Sequence, residues 1–151
     1  MPDWKIDTRF DTPENADVVA FLRTNNPSAH SDVAEELLRS AEGVPGVSHY
    51  CPDSKSYAFV VLHLEDSTII GLAYGQSALA FRLPDHMHAE ACEQGGWAAE
   101  ELGAGWIRFE PWSDSETLDE SRHRLAHWCR VAAGEQNSDA VGRRNESEQG
   151  D

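Results

Sequence analysis

Residues 57–83 read YAFVVLHLEDSTIIGLAYGQSALAFRL, and this stretch decides the fold class. It contains three short runs rich in β-branched and aromatic residues, at 57–64, 68–73 and 78–83. The turn sequences Glu-Asp-Ser and Gly-Gln-Ser separate these runs. Because turns this short join neighbouring antiparallel strands, the stretch predicts a β-meander.

Helical patterns flank the meander on both sides. Apolar residues recur at helical spacing in three segments, at 13–24, 31–42 and 116–133. Further short elements are predicted between them: strands at 47–51 and 105–110, and a helix from Pro84 to about Glu93. This order predicts an α+β single domain, with an antiparallel sheet of four or five strands packed on N- and C-terminal helices.

The domain is expected to span residues 13–133. Residues 1–12 alternate charge and apolar bulk without a clear period, which predicts an irregular N-terminal arm. Residues 134–151 contain almost no apolar side chains, which predicts a disordered acidic tail.

The composition excludes several classes of protein. Hydrophobic residues make up 40% of the 151 residues, enough for one core. Asp and Glu number 27 against 12 Lys and Arg, a formal net charge of -15, so generic binding to nucleic-acid phosphates is not expected. There is no apolar run long enough to span a membrane, and no signal-peptide pattern at the start. Three widely spaced cysteines predict a reducing, cytoplasmic location.

Motifs for catalysis and metal binding are weak. The chain contains no P-loop, no G-x-G-x-x-G and no G-x-S-x-G. His123 and His127 lie one helical turn apart, but on the side of their helix opposite Leu125 and Trp128, which predicts a solvated face. A soft-metal site is conceivable only if other ligands converge on three residues of the short helix: His86, His88 and Cys92. We therefore expect no metal, no cofactor and no catalytic residues.

The alternation of side chains between the two faces of the predicted sheet indicates a candidate binding surface. If Leu79, Phe81, Ile107 and Phe109 pack on the helices, alternate residues of the same strands face the opposite way. This second sheet face would then carry a set of arginine, aromatic and histidine side chains: Arg82, Arg108, Trp106, His63 and Tyr74.

Three functions fit such a surface. The first is a non-enzymatic regulatory or protein-interaction module, with a partner protein or a second copy bound through the sheet face or an edge strand. The alternative is an anionic-ligand or enzymatic site in which Arg82 and Arg108 clamp the ligand and His63 serves as acid or base. Against both stands simple pairing of the two arginines with acids such as Glu65 or Glu110. A third, weaker possibility is an acidic inhibitor that mimics DNA.

The order of elements also resembles that of the TfoX N-terminal and YjbR-like (MmcQ-like) domains. The resemblance covers about residues 30–133, in GLAYGQSALAFRLPDHMHAEACEQGG at 71–96, GAGWIRFEPW at 103–112 and the closing helix around Leu118, Leu125 and Trp128. It implies a small α+β fold, and a role in regulation or nucleic-acid-linked interaction as in some relatives. The helix at 13–24 is additional to that pattern, and the charge of -15 argues against DNA binding.

Overall fold

A computed structural model describes residues 6–52 and 58–134. The helices found there are α1 (Ala16–Asn25), α2 (Ser31–Ser40), α3 (His88–Glu93) and α4 (Leu118–Ala132). The strands are β1 (Ser48–Tyr50), β2 (Val60–His63), β3 (Ile69–Ala73), β4 (Leu79–Arg82), β5 (Trp97–Ala98) and β6 (Trp106–Phe109). Tyr57 and all of the predicted tail except Gly134 lie outside the described residues.

The strands form one sheet in the order β1-β2-β3-β4-β6-β5, with every neighbouring pair antiparallel. The predicted α+β fold is confirmed, and β1 to β4 form the predicted meander. The sheet has six strands rather than four or five, because β5 adds an edge strand of two residues. A run of two residues is too short to show an alternation of apolar and polar residues, so sequence patterns do not predict this strand.

One face of the sheet packs on α2 and α4. The core on this side includes the four residues that parity placed inward: Leu79, Phe81, Ile107 and Phe109. Val33 and Leu37 of α2 and Trp128 of α4 complete it, and the Phe109 and Trp128 rings stack with centroids 5.8 Å apart. The predicted orientation of β4 and β6 is therefore confirmed.

The second face of the sheet is also covered. Val18, Val19 and Leu22 of α1 pack against side chains of four strands: Val61, Leu72, Ala80 and Trp106. Every residue of β2 and β3 is buried. The helix predicted at 13–24 is thus a second layer of the core, although it starts with a 3-10 turn at Pro13–Asn15 before α1.

The Asn15 side chain ties this second layer to the sheet. It is completely buried, and its amide nitrogen donates hydrogen bonds to the carbonyl oxygens of Phe10 (3.0 Å) and Ser67 (2.8 Å). Its amide oxygen accepts a hydrogen bond from the Ile69 backbone nitrogen at 2.9 Å. One side chain therefore joins the entrance of α1 to the β2–β3 turn, with all three partners on the backbone.

Replacing Asn15 with alanine is expected to lower the free energy of unfolding by about 3 kcal/mol, because it leaves buried backbone groups without partners. Asn25→Ala is the matched control, since the Asn25 amide makes one exposed hydrogen bond to the Phe21 carbonyl oxygen. The control should cost less than about 1 kcal/mol. Urea unfolding measures both, and equal losses would contradict the proposed role of Asn15.

Candidate functional site

Two of the residues expected on an open sheet face are buried. Trp106 is 4% exposed and His63 is 7% exposed, because α1 and the segment from Ile6 to Phe10 cover them. The His63 ring lies edge-on to Phe10 at 5.1 Å, and its Nδ1 is 2.8 Å from the Leu64 carbonyl oxygen. The expectation that Trp106 and His63 line an open binding surface is therefore wrong.

Arg82 and Arg108 have separate partners. An Arg82 Nη1 group donates a hydrogen bond to the Glu14 carbonyl oxygen at 2.8 Å. The Arg108 guanidinium carbon lies 5.2 Å from the Trp97 ring centroid and 5.9 Å from that of Tyr74. Within the described residues, neither arginine forms an ion pair, so the expected pairing with Glu65 or Glu110 does not occur.

Tyr74 belongs to a structural cluster. Its hydroxyl donates a hydrogen bond to Glu101 Oε2 at 3.0 Å, and its ring lies edge-on to Phe21 of α1 at 5.6 Å. Burial raises the pKa of Tyr74 far above its usual range; the Glu101 charge adds to the shift and Arg108 opposes it. The phenol is therefore neutral, and the cluster packs α1 against the end of the sheet.

An open concave surface lies instead along α4. It encloses about 1030 Å³ between α4 on one side and, on the other, the end of α3 together with the segment that follows β6. We call it the acidic groove. The side chains that define it are Glu90, Glu93, Glu110, Trp112, Glu116, Asp119, Glu120, His123, Arg124, His127 and Arg130.

The acidic groove has an excess of negative charge. Six carboxylates line it against two arginines, and Arg124 is paired with Glu116 at 3.0 Å. Glu90, Glu93 and Glu110 are exposed and form no ion pair with the part of the chain that the structure describes. Trp112 lines the same groove and is 41% exposed. An exposed aromatic ring and an excess of carboxylates on one surface both attract cations.

Arg124 holds the two ends of the segment that carries Trp112. Its Nε lies 3.1 Å from each carboxylate oxygen of Glu116, and its Nη2 donates to the Glu110 carbonyl oxygen at 3.3 Å. Glu116 also accepts a hydrogen bond from the Ser121 hydroxyl at 2.9 Å. The hydrogen bonds from Arg124 hold the pKa of Glu116 below its usual value, so this carboxylate is ionised at neutral pH.

The histidines and cysteines assemble no metal centre in the described part of the chain, which has no group of three or more ligating side chains. His123 is exposed and His127 half-buried, on the polar side of α4 as expected. His88 Nε2 lies 2.9 Å from the Leu83 carbonyl oxygen, while His86 and Cys92 are exposed. Burial raises the pKa of the Cys129 thiol to about 11.

The acidic groove was not predicted from the sequence. The sequence pattern predicts the solvated face of α4 that carries His123 and His127, and it assigns no binding role to Trp112. The available signal was local: Glu110, Trp112 and Glu116 lie immediately before a helix that begins with acidic residues. The sequence pattern does not predict that this segment folds back beside α4.

Comparison with known proteins found no matching family model, no matching curated protein and no matching solved structure. The resemblance to the TfoX and YjbR-like domains therefore stays a prediction. Among the described helices, none has the length and apolar character needed to cross a bilayer.

The Glu116–Arg124 pair predicts how stability depends on pH. A carboxylate whose pKa is lowered by folding stabilises the protein above its unfolded pKa, and this contribution is lost as the pH falls through the folded pKa. Wild type should therefore exceed Glu116→Gln in stability at neutral pH, and this difference should shrink between about pH 5 and about pH 3. Urea unfolding at several pH values measures it.

Glu90→Gln is the control for this titration, because Glu90 is an exposed groove carboxylate without an ion pair among the described residues. The pH dependence would not come from the Glu116–Arg124 pair if the stability difference between wild type and Glu116→Gln stayed constant on acidification. The same holds if the difference between wild type and Glu90→Gln shrank as much.

Proposed function

We propose that the chain is a non-enzymatic protein-interaction module that binds a basic segment of a partner protein in the acidic groove. One observation carries the proposal: a single concave surface is lined by six carboxylates, two arginines and an exposed tryptophan. Exposed aromatic residues in the middle of a polar rim are typical anchors of protein interfaces. In this groove they are combined with the charge that a lysine- or arginine-rich segment requires.

The dimensions of the groove favour a segment of polypeptide over a single small cation. The residues of α4 that line it run from Asp119 to Arg130, which corresponds to about 16 Å along the helix axis at 1.5 Å per residue. An extended chain covers that distance with about five residues. Several basic side chains of one segment therefore have room to meet carboxylates of both walls.

The other hypotheses receive less support from the geometry. An anionic ligand held by Arg82 and Arg108 would need both guanidiniums at one place, yet each has its own partner and His63 is buried. Self-association through the groove would bring together copies that each carry a net charge of -15. A DNA mimic also binds a basic partner, and it would differ in blocking that partner's nucleic-acid site. We also propose a reducing, cytoplasmic location, where cysteines such as Cys92 and Cys129 remain free thiols.

Fluorescence anisotropy with a labelled peptide of alternating arginine and glycine tests the proposal. The peptide should bind, and a glutamate-glycine peptide of the same length should not. Replacing Glu93 and Glu110 together with glutamine should weaken binding about tenfold. The matched control, Glu42→Gln with Glu65→Gln, removes the same charge from exposed positions outside the groove and should change affinity much less.

Trp112 and Trp97 offer a second matched pair, since both are 41% exposed and only Trp112 lies in the groove. Trp112→Ala should weaken peptide binding by about tenfold and Trp97→Ala should leave it nearly unchanged. Added salt should weaken the wild-type interaction by screening it. Equal effects of groove and control variants would reveal non-specific attraction, and no binding of the basic peptide would reject the function.

A further inference from the structure

The segment from Glu110 to Glu116 brings Trp112 and the Glu110 carboxylate into the acidic groove, and one guanidinium holds both of its ends. Arg124 binds the Glu110 carbonyl oxygen where the segment leaves β6, and the Glu116 carboxylate where it approaches α4. The Arg124 side chain is only 11% exposed, and its guanidinium carbon lies 5.9 Å from the Phe109 ring centroid. It is thus held beneath the segment, with its charge already neutralised by Glu116.

We propose that Arg124 is a positioning residue of the acidic groove. It fixes Trp112 and Glu110 for the partner's basic segment and does not bind that segment itself. The geometry requires arginine, because three hydrogen bonds to Glu116 and one to a carbonyl oxygen need the fork of a guanidinium. A lysine ammonium is a point charge and cannot span both ends of the segment in this way. This inference rests on the proposed binding of a basic segment.

The sign of the effect separates positioning from charge. As a charge alone, Arg124 repels a basic peptide, so its removal should tighten binding. As a positioning residue, its removal should weaken binding despite the more negative groove. Arg122 is the control on the same helix, because it pairs with Glu36 at 3.0 Å and does not line the groove.

The experiment measures binding of the arginine-glycine peptide to wild type, Arg124→Met, Arg124→Lys and Arg122→Met. We expect Arg124→Met and Arg124→Lys to weaken binding about tenfold, and Arg122→Met to leave it unchanged or tighten it. The double variant Arg124→Met with Glu116→Gln keeps the net charge of wild type and should also bind weakly. Unfolding in urea identifies any variant that is not folded; if Arg124→Met is not folded, Arg124→Lys, which keeps the positive charge, replaces it and should still weaken binding.

A second readout concerns the free protein. With 5-fluorotryptophan incorporated, the fluorine resonance of Trp112, assigned through Trp112→Phe, should shift and sharpen in Arg124→Lys, because the segment gains freedom. The resonance of Trp97 should stay in place.

The outcomes separate the two proposals. If wild type binds and Arg124→Met binds equally or more tightly, the positioning role is wrong while the proposed function stands. If wild type does not bind the peptide, the proposed function is wrong. In that case an unshifted Trp112 resonance in Arg124→Lys also overturns the claim that Arg124 holds the segment, and a shifted one leaves it as a purely structural contact.

Discussion

The apolar character of both faces of the central strands is the constraint on which the rest of the structure depends. Every residue of β2 and β3 is buried, so one layer of helices cannot satisfy the sheet. The helices α2 and α4 cover one face, and the ten residues of α1 cover the other with help from Ile6 and Phe10. Since helices cover both faces, the acidic groove lies along α4 and not on the sheet.

Local sequence patterns predicted much of the fold. The alternation in β4 and β6 was sufficient to orient Leu79 and Phe109 correctly, because side-chain direction along a strand depends only on parity. The covering of the second face could not be derived in this way. It depends on contacts between residues far apart in the chain, such as the bonds of Asn15 to Ser67 and Ile69. The alternation pattern contains no information about those contacts. From the pattern alone, an arginine and a tryptophan at alternate positions of a strand fit an exposed binding surface and a buried layer equally well.

For the candidate site too, some properties follow from the sequence and others only from the fold. Composition alone argued against generic nucleic-acid binding, because net charge is a property of the sequence. Where the carboxylates gather is a property of the fold. Glu93 of α3 and Glu110 after β6 reach one wall of a groove because the chain passes twice beside α4. Arg124 and Glu116 are eight residues apart, and Glu116 precedes the first residue of α4. The rule for charged pairs one helical turn apart therefore does not predict this ion pair.

The outer strands of the sheet are short: β1 has three residues and β5 has two. An exposed edge recruits foreign chains in proportion to the row of unpaired backbone donors and acceptors that it presents. Outer strands this short offer little template for β-augmentation or for amyloid-like stacking, and the net charge of -15 adds repulsion between copies. Short outer strands of this kind lower the tendency of a protein to aggregate at high concentration, and they make strand addition an unfavourable mode of association.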